Sequence, residues 1–122
     1  RLVDLATVVP SPEAQALAAR ADKDPRVAEL ILRESRRIVR VARGVIIAEH
    51  RNGTVLANAG IDRSNVAGSD QALLWPVDPD GSARALRTAL QAAFGVPLGV
   101  LVTDSIGRAW RLGTVGHAIG AA

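Results

Sequence analysis

Residues 44–57 read GVIIAEHRNGTVLA, and this stretch decides the fold class of the chain. Val45–Ala48 is apolar and rich in β-branched residues, which is typical of a buried strand. Asn52-Gly53 is a dipeptide that short hairpin turns favour, because both residues tolerate positive φ. Thr54–Ala57 then returns as a second strand. The stretch therefore predicts an antiparallel hairpin, and with it a β-sheet.

Three segments outside the hairpin carry helix signals. Ser11 is an N-cap residue followed by proline and glutamate, which predicts a first helix to about residue 20. Asp24-Pro25 repeats the signal, and apolar residues at helical spacing extend a second helix over residues 25–41. A third helix is predicted over residues 80–94, where Gly95 supplies the stop.

Shorter apolar segments predict the remaining strands. Residues 1–9 are expected to form a strand or an extended lead-in, and residues 71–77 another strand. A continuous apolar strand is predicted over residues 96–103, then a turn at 105–107 and a last strand from about residue 109 to 115. These elements predict an α/β or α+β fold, a mixed β-sheet with at least three helices, in a single domain over residues 1–122.

Composition excludes several classes of protein. The chain is 48% hydrophobic and 22% charged, which is typical of a globular protein and not of a disordered one. It has no cysteine, so disulfides, thiolate zinc sites and cysteine nucleophiles are excluded; this fits a reducing cytoplasm, the expected location. No apolar run approaches the roughly 18–20 residues of a membrane helix, so no membrane partner is expected.

Arginine dominates the charge. The net charge is +3, and six arginines against two glutamates lie between Arg26 and Arg43, largely on the predicted second helix. Such a stripe is typical of a solvated helix face, on which Glu34 is expected to pair with a neighbouring arginine. Three aromatic residues and no tyrosine leave little to stack on bases, so no nucleic-acid partner is expected. The alternative, binding of nucleic acid by this helix, predicts strongly salt-dependent retention on DNA.

Phosphate-binding glycine loops are absent, but a set of oxygen ligands is present. Asp62 lies in a loop after one predicted strand and Asp104 at the end of another, with Asn65 and Ser105 nearby in sequence. Such oxygen donors suit magnesium or manganese. Two carboxylates about 4 Å apart would repel by roughly 4 kcal/mol at an effective dielectric of about 20, which a shared cation or a bound proton would offset. Alternatively, both aspartates only form turns.

The other polar residues suggest less chemistry. His50 is expected to be a solvated loop residue, and His117 to pack in the fold or bond the backbone. Arg108 and Arg111 follow Asp104 and could hold a phosphate, a carboxylate or a surface acid. No side chain is predicted to act as a nucleophile, since Ser105 lacks the surroundings of a nucleophile elbow.

Four stretches together resemble one known family. They are ANAGIDRSNV at 57–66, PVDPDGSA at 76–83, VTDSIGRAWR at 102–111 and GHAIG at 116–120. In order and spacing they resemble the coenzyme F-420-0:L-glutamate ligase family. The chain departs from the family pattern at Ser105, Ile106 and Ala109, where threonine, phenylalanine and proline are expected.

The resemblance implies a GTP-dependent enzyme. It would phosphorylate a carboxylate of the coenzyme F-420-0 precursor, and the amino group of L-glutamate would then attack this acyl phosphate. One or more γ-linked glutamates would be added in this way. Asp62 and Asp104 would correspond to ligands of Mg²⁺ or Mn²⁺, Ser105 to a further metal ligand, and Asn65 to a GTP contact. The fold would be that of the F-420 glutamate ligases.

The resemblance also bears on the assembly. Members are homodimers about twice as long, so it implies that this chain is the central portion of a longer ligase and has little activity alone. The alternative is a non-catalytic module of the same fold that binds nucleotide and metal or mediates dimerisation.

Overall fold

A computed structural model describes residues 1–64, 70–107 and 112–122. The chain forms two compact units, Arg1–Leu74 and Trp75–Ala122, and each is described by itself. The described residues form three α-helices and seven β-strands, so the predicted mixed α/β class is confirmed. The pairings of these strands are all antiparallel and form three small sheets, which corrects the prediction of one mixed sheet. The single domain stays a prediction.

The first unit contains two helices and five strands. In chain order its elements are β1 (Leu2–Asp4), a 3-10 turn (Leu5–Thr7), α1 (Pro12–Ala21), α2 (Pro25–Glu34), β2 (Ser35–Ala42), β3 (Val45–His50), β4 (Val55–Ala57), a second 3-10 turn (Asn58–Gly60) and β5 (Gln71–Leu73). One sheet has the order β2-β3-β4, and the other pairs β1 with β5. β1 and β5 are shorter than the segments predicted for them.

The predicted hairpin is confirmed as β3 and β4. Ala48 pairs with Leu56, and alternate residues of β3 are buried, as expected for a strand with one face against a core. The core of this unit joins residues of α1, α2 and β3, and its largest fully buried side chains are Leu5, Ile31 and Ile46. The hairpin therefore places one strand face under the two helices.

The second helix is shorter than predicted. α2 ends at Glu34, and Ser35–Ala42 forms β2, which pairs with β3 through Ile38 opposite Ala48 and Val41 opposite Ile46. Helical spacing of apolar residues is thus misleading here, because the β-branched residues of this segment also suit a strand, and the free edge of β3 decides between the two. The prediction of an arginine stripe on one helix face is wrong for the same reason.

Helix starts are where the sequence predicts them. The Ser11 hydroxyl accepts a hydrogen bond from Ala14 N at 3.2 Å, and Asp24 Oδ1 accepts one from Arg26 N at 2.8 Å. Each cap satisfies a backbone donor that the first turn of a helix leaves unpaired. Glu29 of α2 then ties the two helices together, because its carboxylate accepts from Ser11 N at 2.9 Å.

The second unit has one helix and one strand pair. Its elements are α3 (Pro79–Phe94), β6 (Leu101–Gly107) and β7 (Thr114–Ala121), with β6 antiparallel to β7. Asp78 caps α3 through a 2.8 Å hydrogen bond from Gly81 N, and Gly95 ends it with a φ of 67°. Both boundaries of this helix confirm the prediction to within a residue.

The strands of the second unit differ from the prediction. β6 begins at Leu101 instead of residue 96, and it includes Ser105–Gly107, which was expected to be a turn. β7 runs from Thr114 to Ala121, later than predicted, and residues 108–111 lie outside the described residues. Pairing of Gly107 with Thr114 explains the difference, because cross-strand hydrogen bonds extend β6 through residues whose own propensity is for turns.

The three α-helices of the described residues are 10, 10 and 16 residues long. Within the ranges that the structure describes, none combines the length and the apolar character that a membrane span requires.

Close contact between α3 and β7 organises the second unit. A Cβ atom on Gly120 would lie 2.5 Å from both the carbonyl carbon and oxygen of Pro79, so only glycine allows this approach. One residue later, Ala121 N donates to Asp80 Oδ1 at 2.8 Å. The start of the helix is therefore seated directly on the end of the last strand.

Replacing Gly120 by alanine tests this contact. We expect Gly120→Ala to lower the free energy of unfolding by about 1–3 kcal/mol, because the added methyl group meets backbone atoms that cannot move cheaply. Gly116→Ala is the matched control on the same strand, where an added Cβ meets nothing within 4 Å. Chemical denaturation of the full-length protein measures both, and equal effects of the two variants would contradict the proposed contact.

Ionisation of the Glu29 carboxylate makes the stability of the folded chain depend on pH. Hydrogen bonds from Ser11, and then from Arg33, lower the pKa of Glu29 to about 2 from an ordinary value of 4.5. Because the folded state holds the ionised form, the stabilisation is complete above about pH 4.5 and is lost as the pH falls toward 2. We expect Glu29→Gln to flatten the pH dependence of the melting temperature in this window. An unchanged slope in thermal unfolding of the variant would contradict this account.

Candidate functional site

The predicted ligands divide between the two units. Asp62 lies in the first unit, and Asp104 and Ser105 lie in the second. Asn65, which the family resemblance assigns to GTP, lies outside the described residues. Since each unit is described by itself, the sharing of one cation by Asp62 and Asp104 stays a prediction.

The backbone of Asp62 is held by its neighbours. Before it, the 3-10 turn at Asn58–Gly60 passes through a positive φ of 52° at Ala59, and Ile61 is buried. Asp62 N then donates to Leu73 O at 2.9 Å, and Asp62 O accepts from Leu73 N at 2.8 Å. A buried residue on one side and a two-way bridge to the neighbouring chain fix the position from which the carboxylate projects.

The side chain of Asp62 forms a local turn. Its Oδ1 atom accepts from Ser64 N at 2.8 Å and from Ser64 Oγ at 2.6 Å. This arrangement supports the turn-forming alternative for this aspartate. The turn therefore also orients the carboxylate group. The role of Asp62 as a metal ligand stays a prediction.

A group of charged side chains elsewhere in the first unit went undetected in the sequence. Arg26 donates to Asp24 Oδ2 at 2.7 Å and to Asp70 Oδ2 at 3.0 Å, and its hydrogen bonds lower the pKa of Asp24. Burial, and then the charge of Arg63, lowers the pKa of Lys23. Arg26 and Asp70 lie 44 positions apart in the chain, so no local motif could have indicated their pairing.

Asp104 lies inside β6 and not at the end of a strand, which corrects the prediction. Its side chain is half-buried and shares a face of the strand with Val102 and Ile106. Both carboxylate oxygens accept hydrogen bonds: Oδ1 from Ser105 N at 2.8 Å, and Oδ2 from the indole Nε1 of Trp75 at 2.7 Å. Trp75 is buried, whereas its sequence context predicts only that it lies within a strand.

Ser105 is the next residue of the same strand. Successive side chains of a strand point to opposite faces, so the Ser105 hydroxyl and the Asp104 carboxylate point apart. The Ser105 side chain is exposed, together with that of Thr103. The structure thus joins Asp104 and Ser105 through the backbone N–H of Ser105 and not through their side chains. A common metal role for both side chains stays a prediction.

The donor set can be tested against the predicted cation. Among the described residues, no group of three or more histidine, cysteine, aspartate and glutamate side chains could hold a metal ion. Magnesium commonly keeps several waters and is held by one or two carboxylates together with substrate phosphates. Oriented single carboxylates such as Asp62 and Asp104 fit that mode of binding.

Glu34 and His50 differ from their predictions in part. His50 is buried at the end of β3, so the prediction of a solvated loop residue is wrong. Its Nδ1 accepts from Asn52 N at 3.2 Å, which places the proton of the neutral ring on Nε2, 3.7 Å from Glu34 Oε2. Glu34 pairs with an arginine as expected, but the partner is Arg1 and not a sequence neighbour.

His117 lies on β7 directly opposite Asp104. It is exposed, so the first alternative predicted for it, packing in the fold, is wrong, and the second, a bond to the backbone, stays a prediction. Paired residues on adjacent antiparallel strands project to the same face, so the imidazole stands on the carboxylate side of β6. Sequence order could not reveal this pairing, because it depends on the register of the two strands.

Three arginines of the predicted second helix, Arg36, Arg37 and Arg40, lie on the strand β2. Arg36 and Arg37 both approach Glu49 of β3, at 3.7 and 2.6 Å. Grooves of about 330 and 230 Å³ run beside this strand, and the larger is lined in part by Arg20 and Arg40. Arg108 and Arg111, the other predicted anion contacts, lie outside the described residues.

Comparison with known proteins gives one consistent result. The family model described as F420-0:Gamma-glutamyl ligase matches residues 1–122. A coenzyme F420:L-glutamate ligase of Methanopyrus kandleri is 52% identical over 98% of this chain and 47% of its own length. The enzyme of that name from Methanothermobacter thermautotrophicus is 47% identical over 99% of this chain and 48% of its own length. The enzyme of that name from Methanocaldococcus jannaschii is 41% identical over 98% of this chain and 47% of its own length.

The matches cover nearly all of this chain but only part of each relative. The chain spans about half the length of the curated relatives that it matches. The family model, in contrast, covers every residue of the chain, including the four stretches on which the resemblance was based. The chain therefore belongs to the F420-0:gamma-glutamyl ligase family.

Proposed function

We propose that this chain contributes the central part of a coenzyme F420:L-glutamate ligase, which uses GTP to join L-glutamate to coenzyme F420-0 through γ-linkages. The observation that carries the proposal is the 52% identity, across nearly the whole chain, to a protein of that name. The oriented carboxylates of Asp62 and Asp104 support it, because both are charged oxygen donors held by hydrogen bonds.

The reaction requires two bond changes. A carboxylate oxygen of F420-0 attacks the γ-phosphorus of GTP, the bond to the β-phosphate oxygen breaks, and GDP leaves. The amino nitrogen of glutamate, after losing a proton, then attacks the acyl carbon, and inorganic phosphate leaves with the electron pair of the broken C–O bond. No side chain of the protein forms a covalent bond in these two reaction steps, which agrees with the lack of a predicted nucleophile.

Charge neutralisation and positioning supply most of the catalysis of phosphoryl transfer. Bound Mg²⁺ or Mn²⁺ would neutralise phosphate charge. In the proposal, Asp62 and Asp104 hold this cation, the Ser105 hydroxyl supplies a further oxygen, and Asn65 contacts GTP. Hydrogen bonds from Ser64 and Trp75 keep the two carboxylates oriented before any ligand binds.

The remaining features of the proposal concern assembly. Because the relatives are about twice as long, we expect other parts of the polypeptide to complete the nucleotide site, and this chain alone to have little activity. Homodimerisation and a cytoplasmic location belong to the same proposal.

Substitution of the two aspartates tests the function. In the full-length protein, we expect Asp62→Asn and Asp104→Asn each to lower Mn²⁺-dependent formation of GDP and γ-glutamyl product by more than about 100-fold, because loss of a ligand costs more than loss of an outer-shell partner. Asp22→Asn is the matched control, since this exposed aspartate pairs only with Arg43 among the described contacts.

The possible outcomes separate the two classes of function. Full turnover in both aspartate variants would contradict the proposed metal site. Binding of GTP and Mn²⁺ by the unmodified full-length protein, with no product from F420-0 and glutamate, would instead favour the non-catalytic module.

A further inference from the structure

Trp75 is a buried aromatic residue with one polar atom. Trp75 is only 5% exposed. Its indole Nε1–H can donate a hydrogen bond but cannot accept one. This donor is directed at Asp104 Oδ2, at a distance of 2.7 Å. The contact joins two residues 29 positions apart in the chain, so it is a tertiary contact and not a local turn.

The same carboxylate is held from a second direction. Ser105 N donates to Asp104 Oδ1 at 2.8 Å, so each oxygen of the group has its own donor. Two donors on two oxygens fix the plane of a carboxylate, whereas a single donor would let it rotate about the bond to Cβ. The half-buried Asp104 side chain is therefore presented in one orientation.

The chemical type of the donor matters. An indole N–H is neutral, so it orients the carboxylate without cancelling its negative charge, as a lysine or arginine partner would. Among the described residues, no ion pair of Asp104 with an arginine, lysine or histidine is found within 4.0 Å. Two hydrogen bonds thus hold the Asp104 carboxylate in place without a cationic partner among the described residues, an arrangement that suits a ligand of a cation.

We propose that Trp75 is a positioning residue that orients the Asp104 carboxylate for a divalent cation. The inference rests on the proposed function, which assigns Asp104 to the metal. Ligating carboxylates are commonly held by such outer-shell hydrogen bonds, and loss of one typically weakens metal binding 10–100-fold.

Metal affinity tests the proposal without any need for turnover. Mn²⁺ binding to the full-length protein is measured by electron paramagnetic resonance of the free ion, for Trp75→Phe, Asp104→Asn and Ile106→Val. Trp75→Phe keeps an aromatic ring and removes the N–H, and we expect it to weaken Mn²⁺ binding about 10–100-fold. Ile106→Val removes one methylene from a buried side chain of the same unit and is expected to leave Mn²⁺ affinity unchanged.

A spectroscopic signature distinguishes positioning from packing. The indole N–H resonance of Trp75 is identified in ¹⁵N-labelled full-length protein by its absence from the spectrum of Trp75→Phe. We expect Mn²⁺ to broaden the Trp75 resonance at less than one equivalent, because the N–H is one hydrogen bond from the proposed ligand. Diamagnetic Mg²⁺ is expected to shift this resonance and not to broaden it.

The outcomes separate the inference from the function on which it depends. If Asp104→Asn weakens Mn²⁺ binding but Trp75→Phe does so no more than Ile106→Val, the positioning role is overturned and the metal site stands. If Asp104→Asn leaves Mn²⁺ affinity unchanged, the metal assignment itself fails, and the inference fails with it. A Trp75 resonance that saturating Mn²⁺ does not broaden would also overturn the inference.

Discussion

Antiparallel pairing of β3 with strands on both of its sides is the constraint on which the first unit depends. A central strand must satisfy its backbone donors and acceptors along both edges, so β2 and β4 are both required. Once β3 is paired, its alternation sends Ile46 and Ala48 to one face, where α1 and α2 bury them. The same pairing ends α2 at Glu34, because the residues that follow are needed as a strand.

The second unit is organised more by polar and backbone contacts than by a large core. Its buried apolar side chains among the described residues are Trp75, Ala83 and Ile106, whereas Phe94 and Leu101 are largely exposed. Seating of Pro79 on Gly120 and the donation of Ala121 N to Asp80 therefore carry much of its specificity. Such contacts tolerate little change in volume, since backbone atoms on both sides are fixed by a helix and a strand.

The carboxylates of Asp62 and Asp104 are oriented by hydrogen bonds from different kinds of partner. A serine two residues later orients Asp62 within a local turn, so the sequence around it contains most of the information for its geometry. Orientation of Asp104 needs a tryptophan 29 residues earlier in the chain. In both cases hydrogen bonds orient the carboxylate before any cation binds. Preorganisation of this kind lowers the cost of binding, because the side chains are already ordered.

Local signals in the sequence determined the hairpin turn at Asn52-Gly53, the N-caps at Ser11 and Asp24, the end of α3 at Gly95 and the four stretches that indicate the family, because each depends on residues within a few positions of one another. Tertiary structure alone decided that residues 35–42 form a strand, that His50 is buried and that Asp104 lies inside β6 with Trp75 as its partner. The physical reason is that β-pairing and burial satisfy groups far apart in the chain, and a stretch that suits both helix and strand takes the conformation that its neighbours in space complete.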